Sequence, residues 1–257
     1  MTASLRAADS DAPSPSLVGV RTSCAAVDGP LRILAAAIGS APQRPSPVVH
    51  VFTIGDAELS VAERSRDASL SPDGVRAVVL RVADPGARAA DVRRCGARVE
   101  ESADRFSLLA NGLTVELLLP GHSPRGHGAS AVELDHVALL VGNLEEAVDV
   151  WSAITGLRPA MVGPHPLGGS DAARFLLGNR MVELICPWDG ATTPMRKRLD
   201  SSGEGPLALA LVAKDLAATM EAVEDAGATL VRQPPHVFIH PHDTGGVLVQ
   251  VTPRLLH

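Results

Sequence analysis

The sequence predicts an α+β chain of two tandem domains, assembled from four copies of a strand–helix–strand–strand unit. Three observations carry that prediction. The unit's pattern of apolar runs and turn signals recurs four times along 257 residues. Landmarks inside the copies coincide: Leu17 and Gly39 match Leu134 and Gly156 at one spacing, and Gly96-Ala97 matches Gly227-Ala228. The stretch from Pro120 to Ala131 holds small, polar, Pro and Gly residues with no periodicity, so it reads as a linker that divides the copies two and two. A unit too small to close its own core must pack against a neighbour, so such repetition constrains the fold.

The first copy begins at Leu17, where a strand runs to Ala26. Residues 1–16 before it, rich in Ala, Ser, Asp and Pro, read as a disordered lead without the apolar segment of a secretory signal. Pro30 suits a first helical turn because its missing N–H costs nothing there, and that helix stops near Gly39. A Pro-rich loop spans Ala41 to Pro47. Strands Val48 to Ile54 and Ala57 to Val61 then flank the turn Gly55-Asp56. The second copy has a strand from Val75 to Val82 and a helix capped by Asp84-Pro85 that ends at Gly96. Its hairpin, Arg105 to Ala110 and Leu113 to Leu119, turns at Asn111-Gly112. These two copies make a domain over residues 17–119.

The second domain is expected over residues 132–257, after a linker at 120–131 that carries His122 and His127. Its first strand runs from Leu134 to Val141. Asn143 caps the next helix, with Glu146 completing a capping box. Leu144, Ala147, Val148, Trp151 and Ile154 form that helix's apolar stripe, which ends near Gly156. Strands Ala173 to Leu177 and Met181 to Cys186 turn at Gly178-Asn179. A short basic helix covers Thr193 to Leu199. The last copy has a strand from Leu207 to Ala213 and a helix capped by Asp215 that stops at Gly227. Its closing hairpin, Val237 to His240 and Val247 to Thr252, turns through Asp243-Thr244-Gly245-Gly246.

Composition narrows the function. Hydrophobic residues make up 46% of the chain and aromatics 2%, with no Tyr, so the core is aliphatic. The formal net charge is -6 and the basic residues are scattered, which argues against nucleic acid as a partner. No apolar run is long enough to cross a bilayer. Cys24, Cys95 and Cys186 are far apart and follow no paired spacing, as expected of reduced thiols in a cytoplasmic protein. His136 lies inside a strongly apolar strand, and Glu183 and Gln250 fall in later strands. These three could converge on one site, or they could be a hydrogen-bonded core histidine and the polar lining of a pocket.

A resemblance sharpens the reading. Leu134-Asp135-His136-Val137-Ala138, Val182-Glu183-Leu184-Ile185-Cys186-Pro187, Thr193-Pro194-Met195, Gly203-Glu204-Gly205 and the run from Phe238 to Gln250 resemble the vicinal oxygen chelate superfamily, and within it the methylmalonyl-CoA epimerases. The resemblance covers about the C-terminal half; the N-terminal half shares only the module pattern. It implies βαβββ modules paired into a cup-shaped mixed sheet with a metal inside the cup. Carried over residue by residue, the four ligand positions are His136, Glu183, Ala208 and Gln250. A histidine is missing at Ala208, and an amide stands where a carboxylate is usual. The N-terminal equivalents, Gly19, Glu58, Ala77 and Glu116, include no histidine, so that half reads as scaffold.

The resemblance implies a divalent metal (Zn, Ni, Co, Mn or Fe) on His136, Glu183 and Gln250, and an epimerase or isomerase that moves a proton α to a carbonyl. The substrate would be an acyl-CoA or another small oxygenated metabolite. The epimerases' usual carboxylate base has no counterpart near Arg174. Asp171, His165, His236 and Glu183 itself are the candidates, chosen by reach to the proton. Lys197 and Arg198 could meet a phosphate-bearing substrate or form a solvated helix face. An alternative is a non-catalytic binding or resistance protein. A lyase or dioxygenase ranks lower, because Ala208 and Gln250 break the two-His, one-Glu set that iron chemistry needs. Monomer and homodimer are both compatible with the sequence.

Overall fold

A computed structural model of the chain describes residues 14–64, 73–118 and 130–253. Each of the four copies is a βαβββ module, one strand longer than the sequence pattern reveals. The first holds β1 (Ser16–Cys24), α1 (Asp28–Ile38), β2 (Gln43–Ser46), β3 (Val49–Ile54) and β4 (Ala57–Glu63). The second holds β5 (Gly74–Arg81), α2 (Pro85–Arg94), β6 (Val99–Glu101), β7 (Arg105–Ala110) and β8 (Leu113–Leu118). The third holds β9 (Val132–Leu140), α3 (Leu144–Thr155), β10 (Met161–Pro164), β11 (Ser170–Leu177) and β12 (Arg180–Pro187). Helix α4 (Pro194–Ser202) follows it. The fourth holds β13 (Gly205–Ala213), α5 (Leu216–Asp225), β14 (Leu230–Gln233), β15 (His236–Ile239) and β16 (Val249–Pro253).

Modules pair two by two into eight-stranded mixed sheets, ordered β2-β3-β4-β1-β5-β8-β7-β6 and β10-β11-β12-β9-β13-β16-β15-β14. In each sheet the leading strands of two modules meet antiparallel at the centre, and each has its own module's last strand parallel on the other side. This is the two-domain cup architecture expected from the resemblance. The extra strand of each βαβββ module, implied by the resemblance but unmarked in the apolar pattern, is β2, β6, β10 or β14, and all four lie at sheet edges. They are mostly exposed and span only three or four residues, so neither alternation nor a buried run marks them. The closing turn also differs from a simple hairpin: Pro241–Thr244 forms a 3-10 turn before β16.

Local signals act as the sequence predicts. The Asn143 side chain accepts hydrogen bonds from the Glu145 and Glu146 N–H groups, while its own amide donates to Glu146. Asp84, Thr193 and Asp215 cap α2, α4 and α5 in the same manner. A single apolar core runs on the helix side of both sheets, from Leu17, Phe52 and Leu80 to Trp151, Phe175 and Val251. Helix α1 packs on α5 and α2 on α3, so the two halves bury their helices against each other. The expected linker and lead fall mostly outside the described residues, as do His122 and His127. No described helix is long and apolar enough to cross a membrane.

Candidate functional site

Register assembles the site in the C-terminal cup. Residues paired across adjacent strands carry their side chains on one face. One row of pairs runs Arg174, Glu183, Ala138 and Ala208 across β11, β12, β9 and β13. The next runs Met181, His136, Ala210, Gln250 and Phe238 across β12, β9, β13, β16 and β15. The two rows therefore set His136, Glu183 and Gln250 on the concave face, around a cavity of about 530 Å³. His165, Arg174 and His236 also line it. That volume lies within the range of small-molecule sites.

Glu183 is the buried centre of the cluster, with its side chain 5% exposed. Its Oε1 accepts from Arg174 Nε at 2.7 Å. Its Oε2 lies 3.8 Å from His136 Nε2 and 3.8 Å from His165 Nε2. Burial alone would raise this carboxyl, but the His165 and His136 rings and the Arg174 guanidinium outweigh it. They hold the pKa at about 2, below the ordinary 4.5.

Hydrogen bonds fix the histidines. His136 Nδ1 lies 2.6 Å from Asp135 Oδ2, so this nitrogen carries a proton and Nε2 is the one that gains or loses one. In His165, Nδ1 accepts from the Leu167 N–H at 3.2 Å, which puts the proton on Nε2, facing Glu183. In His236, Nδ1 pairs with the Gln250 amide nitrogen at 3.1 Å. Burial, with the His136 charge adding to it, holds the His236 pKa below its ordinary 6.5.

The remaining sequence candidates stand elsewhere. Asp171 pairs in register with Cys186, three residues before Arg174 and on the opposite face of β11, and it does not line the cavity. Strand alternation thus takes it away from Glu183, which corrects its place among the candidate bases. As a proton acceptor Glu183 is also poorly matched, because a carboxyl held near 2 has little basicity at neutral pH. His136 is not alone in an apolar strand: His50 is buried in β3, in the other half. Arg174 and His165 emerge as direct partners of Glu183. The sequence names His165 as a candidate base and sets Arg174 near the usual base position; their contacts with Glu183 follow from the β11–β12 register and from the loop between β10 and β11.

The donor set does not fit the divalent ion that the resemblance implies. Ala208 supplies no donor atom. It packs with Ala138, Leu140, Ala172 and Ile185 in an apolar cluster on the concave face, against Met195 and Leu199 of α4. Glu183 has one oxygen on a guanidinium and the other facing a protonated imidazole nitrogen. The Gln250 amide nitrogen is bonded to His236 Nδ1, so only its neutral oxygen could serve as a donor. Among the described residues, no group of three or more His, Cys, Asp and Glu is arranged to hold a metal ion. The N-terminal cup is self-neutralised in the same way: Glu116 accepts from Arg21 at 2.8 Å and from Arg105 at 3.1 Å.

Comparisons with known proteins agree with the fold. The Glyoxalase-like domain family model matches residues 134–250. The mitochondrial methylmalonyl-CoA epimerase of Mus musculus is 30% identical over 127 residues, covering 46% of this chain and 71% of that protein. Its Homo sapiens counterpart is also 30% identical over 127 residues, covering 46% and 72%. Over nearly the whole chain, the fold is similar to a mutant of 4-hydroxymandelate synthase from Streptomyces coelicolor. That match has a TM-score of 0.70 and 16% identity, covering 95% of this chain and 93% of the other.

Proposed function

The chain belongs to the vicinal oxygen chelate superfamily, and from that premise we propose that its C-terminal cup is an epimerase- or isomerase-like site moving a proton α to a carbonyl. The substrate class is an acyl thioester such as methylmalonyl-CoA, or another small oxygenated metabolite. One observation carries the reading: His136 is held at Nδ1 by Asp135 and so has a single exchangeable position, Nε2, beside the cavity. A carboxylate behind an imidazole fixes its orientation and supports the charged form during proton transfer. His136 Nε2 takes the α-proton and returns it. His236, kept neutral by burial and accepting from the Gln250 amide at Nδ1, carries its proton on Nε2 and can donate a hydrogen bond to a substrate oxygen in the cavity it lines.

Proton exchange at the α-carbon tests this directly. In D2O, the wild-type chain is expected to place deuterium on methylmalonyl-CoA or a related α-substituted thioester, read by mass spectrometry. His136→Ala should lower the rate by about 10²–10⁴-fold, the usual contribution of a general acid–base. A second reading, a binding protein without chemistry, is favoured by Ala208 and by the neutral amide at Gln250. Calorimetric binding of the thioester with no deuterium uptake would select it. Neither binding nor exchange across a thioester panel would sink both.

A further inference from the structure

We propose that Arg174 does the work of a metal in this cup: its guanidinium binds the oxyanion that forms on the substrate, and the site runs without a divalent ion. Arg174 sits in register opposite Glu183, on the strand that flanks the candidate ligand row. Only its Nε is committed to the carboxylate, at 2.7 Å. Nη1 reaches the soft Met161 Sδ at 3.8 Å, and Nη2 makes no hydrogen bond to a described residue. The side chain is 27% exposed and lines the cavity that His136 and His236 also line. Nη2 and the second N–H of Nη1 therefore remain for a ligand oxygen, in a planar fork suited to oxyanions.

The place where a metal would sit argues in the same direction. A dication on Glu183 would lie beside the guanidinium already bound to that carboxylate, and like charges at such range repel strongly in a buried site. The third ligand position is apolar and packed under α4. The positive charge has moved from an ion between the strands to a side chain on the neighbouring strand. Glu183 engages only the Nε edge of Arg174, which leaves the Nη edge to the cavity that the side chain lines.

The inference rests on the proton-transfer reading for the chemistry it serves. As His136 Nε2 takes the α-proton, the C–H electron pair moves into the carbonyl. The carbonyl oxygen becomes an enolate oxygen, which accepts hydrogen bonds from Arg174, and reprotonation at carbon reverses the step. No electron leaves the pair and no co-reactant is required.

Oxalate, a planar dianion that presents enolate-like oxygens, is the probe. The full chain is dialysed against a chelator, its residual metal is measured by elemental analysis, and oxalate binding is followed by calorimetry. Metal-stripped wild type is expected to bind oxalate. Arg174→Gln should weaken that binding at least about tenfold, in line with loss of a charge-assisted hydrogen bond. Arg174→Lys should retain part of it. Glu183→Gln separates a ligand-binding Arg174 from a merely structural one, because it removes the competing carboxylate. Tighter oxalate binding in Glu183→Gln supports the proposal, and unchanged or weaker binding opposes it. The proposal is overturned if stripped protein binds no oxalate but regains it after dialysis against Zn²⁺, or if Arg174→Gln binds as well as wild type. These readouts need no turnover. A chain that binds oxalate through Arg174 but exchanges no α-proton would fail the proton-transfer reading alone. Where exchange occurs, its rate should survive chelation.

Discussion

At the scale of single residues, the site is governed by one buried carboxylate and what surrounds it. Glu183 is held near pH 2 against its own burial, by two imidazoles and a guanidinium. The folded state therefore prefers the ionised form more than the unfolded chain does. By linkage, that preference contributes stability above the unfolded value near 4.5, and the contribution is lost as pH falls through about 2. Glu183→Gln should flatten the acid limb of the stability curve over this window, measured by urea unfolding at stepped pH. A variant curve as steep as wild type between pH 4.5 and 2.5 would show that other groups set acid stability. His136, Glu183 and Gln250 were legible in the sequence because each stands in a strand of clear pattern and matches a family motif. The pairing of Arg174 with Glu183 was not, since it depends on a hairpin register set by the turn Gly178-Asn179. Asp171 shows the same limit from the other side, because a shift of three residues along a strand reverses the face.

At the scale of elements, the parts most readable in the sequence are those with chemical punctuation. Asn143, Asp84, Thr193 and Asp215 announce helix starts because each side chain satisfies an N–H that the first turn leaves open. The edge strands carry no such mark. Gln43–Ser46 includes Pro45 and pairs on one side only, and Leu230–Gln233 is largely exposed, so both read as loop. The helix that follows His136 depends on its cap. Asn143→Ala should cost about 1 kcal/mol, because it removes both acceptor contacts and the return bond to Glu146. Asn143→Ser should recover most of that loss. Denaturant midpoints at constant slope are the measurement, and an alanine variant as stable as wild type would mean that packing of Trp151 and Ile154 alone fixes α3. Helix α4 has a different role. It buries no residue of its own fully, yet Met195 and Leu199 cover the alanine floor of the cup. It closes the end where a third ligand would have stood.

At the scale of the whole molecule, the halves act as partners. The Trp151 indole N–H donates to Asn111 Oδ1 at 3.1 Å, and the Asn111 amide donates to Glu204 at 3.1 Å, so a turn of the first sheet is tied to α3 and to the start of β13. Gly112, in the left-handed region, lets that turn approach so closely that an added Cβ would stand 2.4 Å from the Glu204 carbonyl oxygen. Arg180, 3% exposed in its side chain, bonds both Asp56 and the Leu17 carbonyl of the other half. Helices α1 and α2 cover α5 and α3, and Trp151 is wholly buried among them. A fragment of residues 130–257 would uncover those helix faces and leave Arg180 without its partners. A contiguous apolar face of that kind drives association. The fragment is therefore expected to dimerise or precipitate where the full chain does not, as read by light scattering after size exclusion. Should it remain a monodisperse monomer with the full chain's helix content and cooperative unfolding, the N-terminal half would be dispensable for the C-terminal fold. If instead it pairs with itself through α3 and α5, the N-terminal half is a resident stand-in for a second copy. Its loss of ligand residues would then follow from its task, since a surface that only covers helices needs no chemistry in its cup.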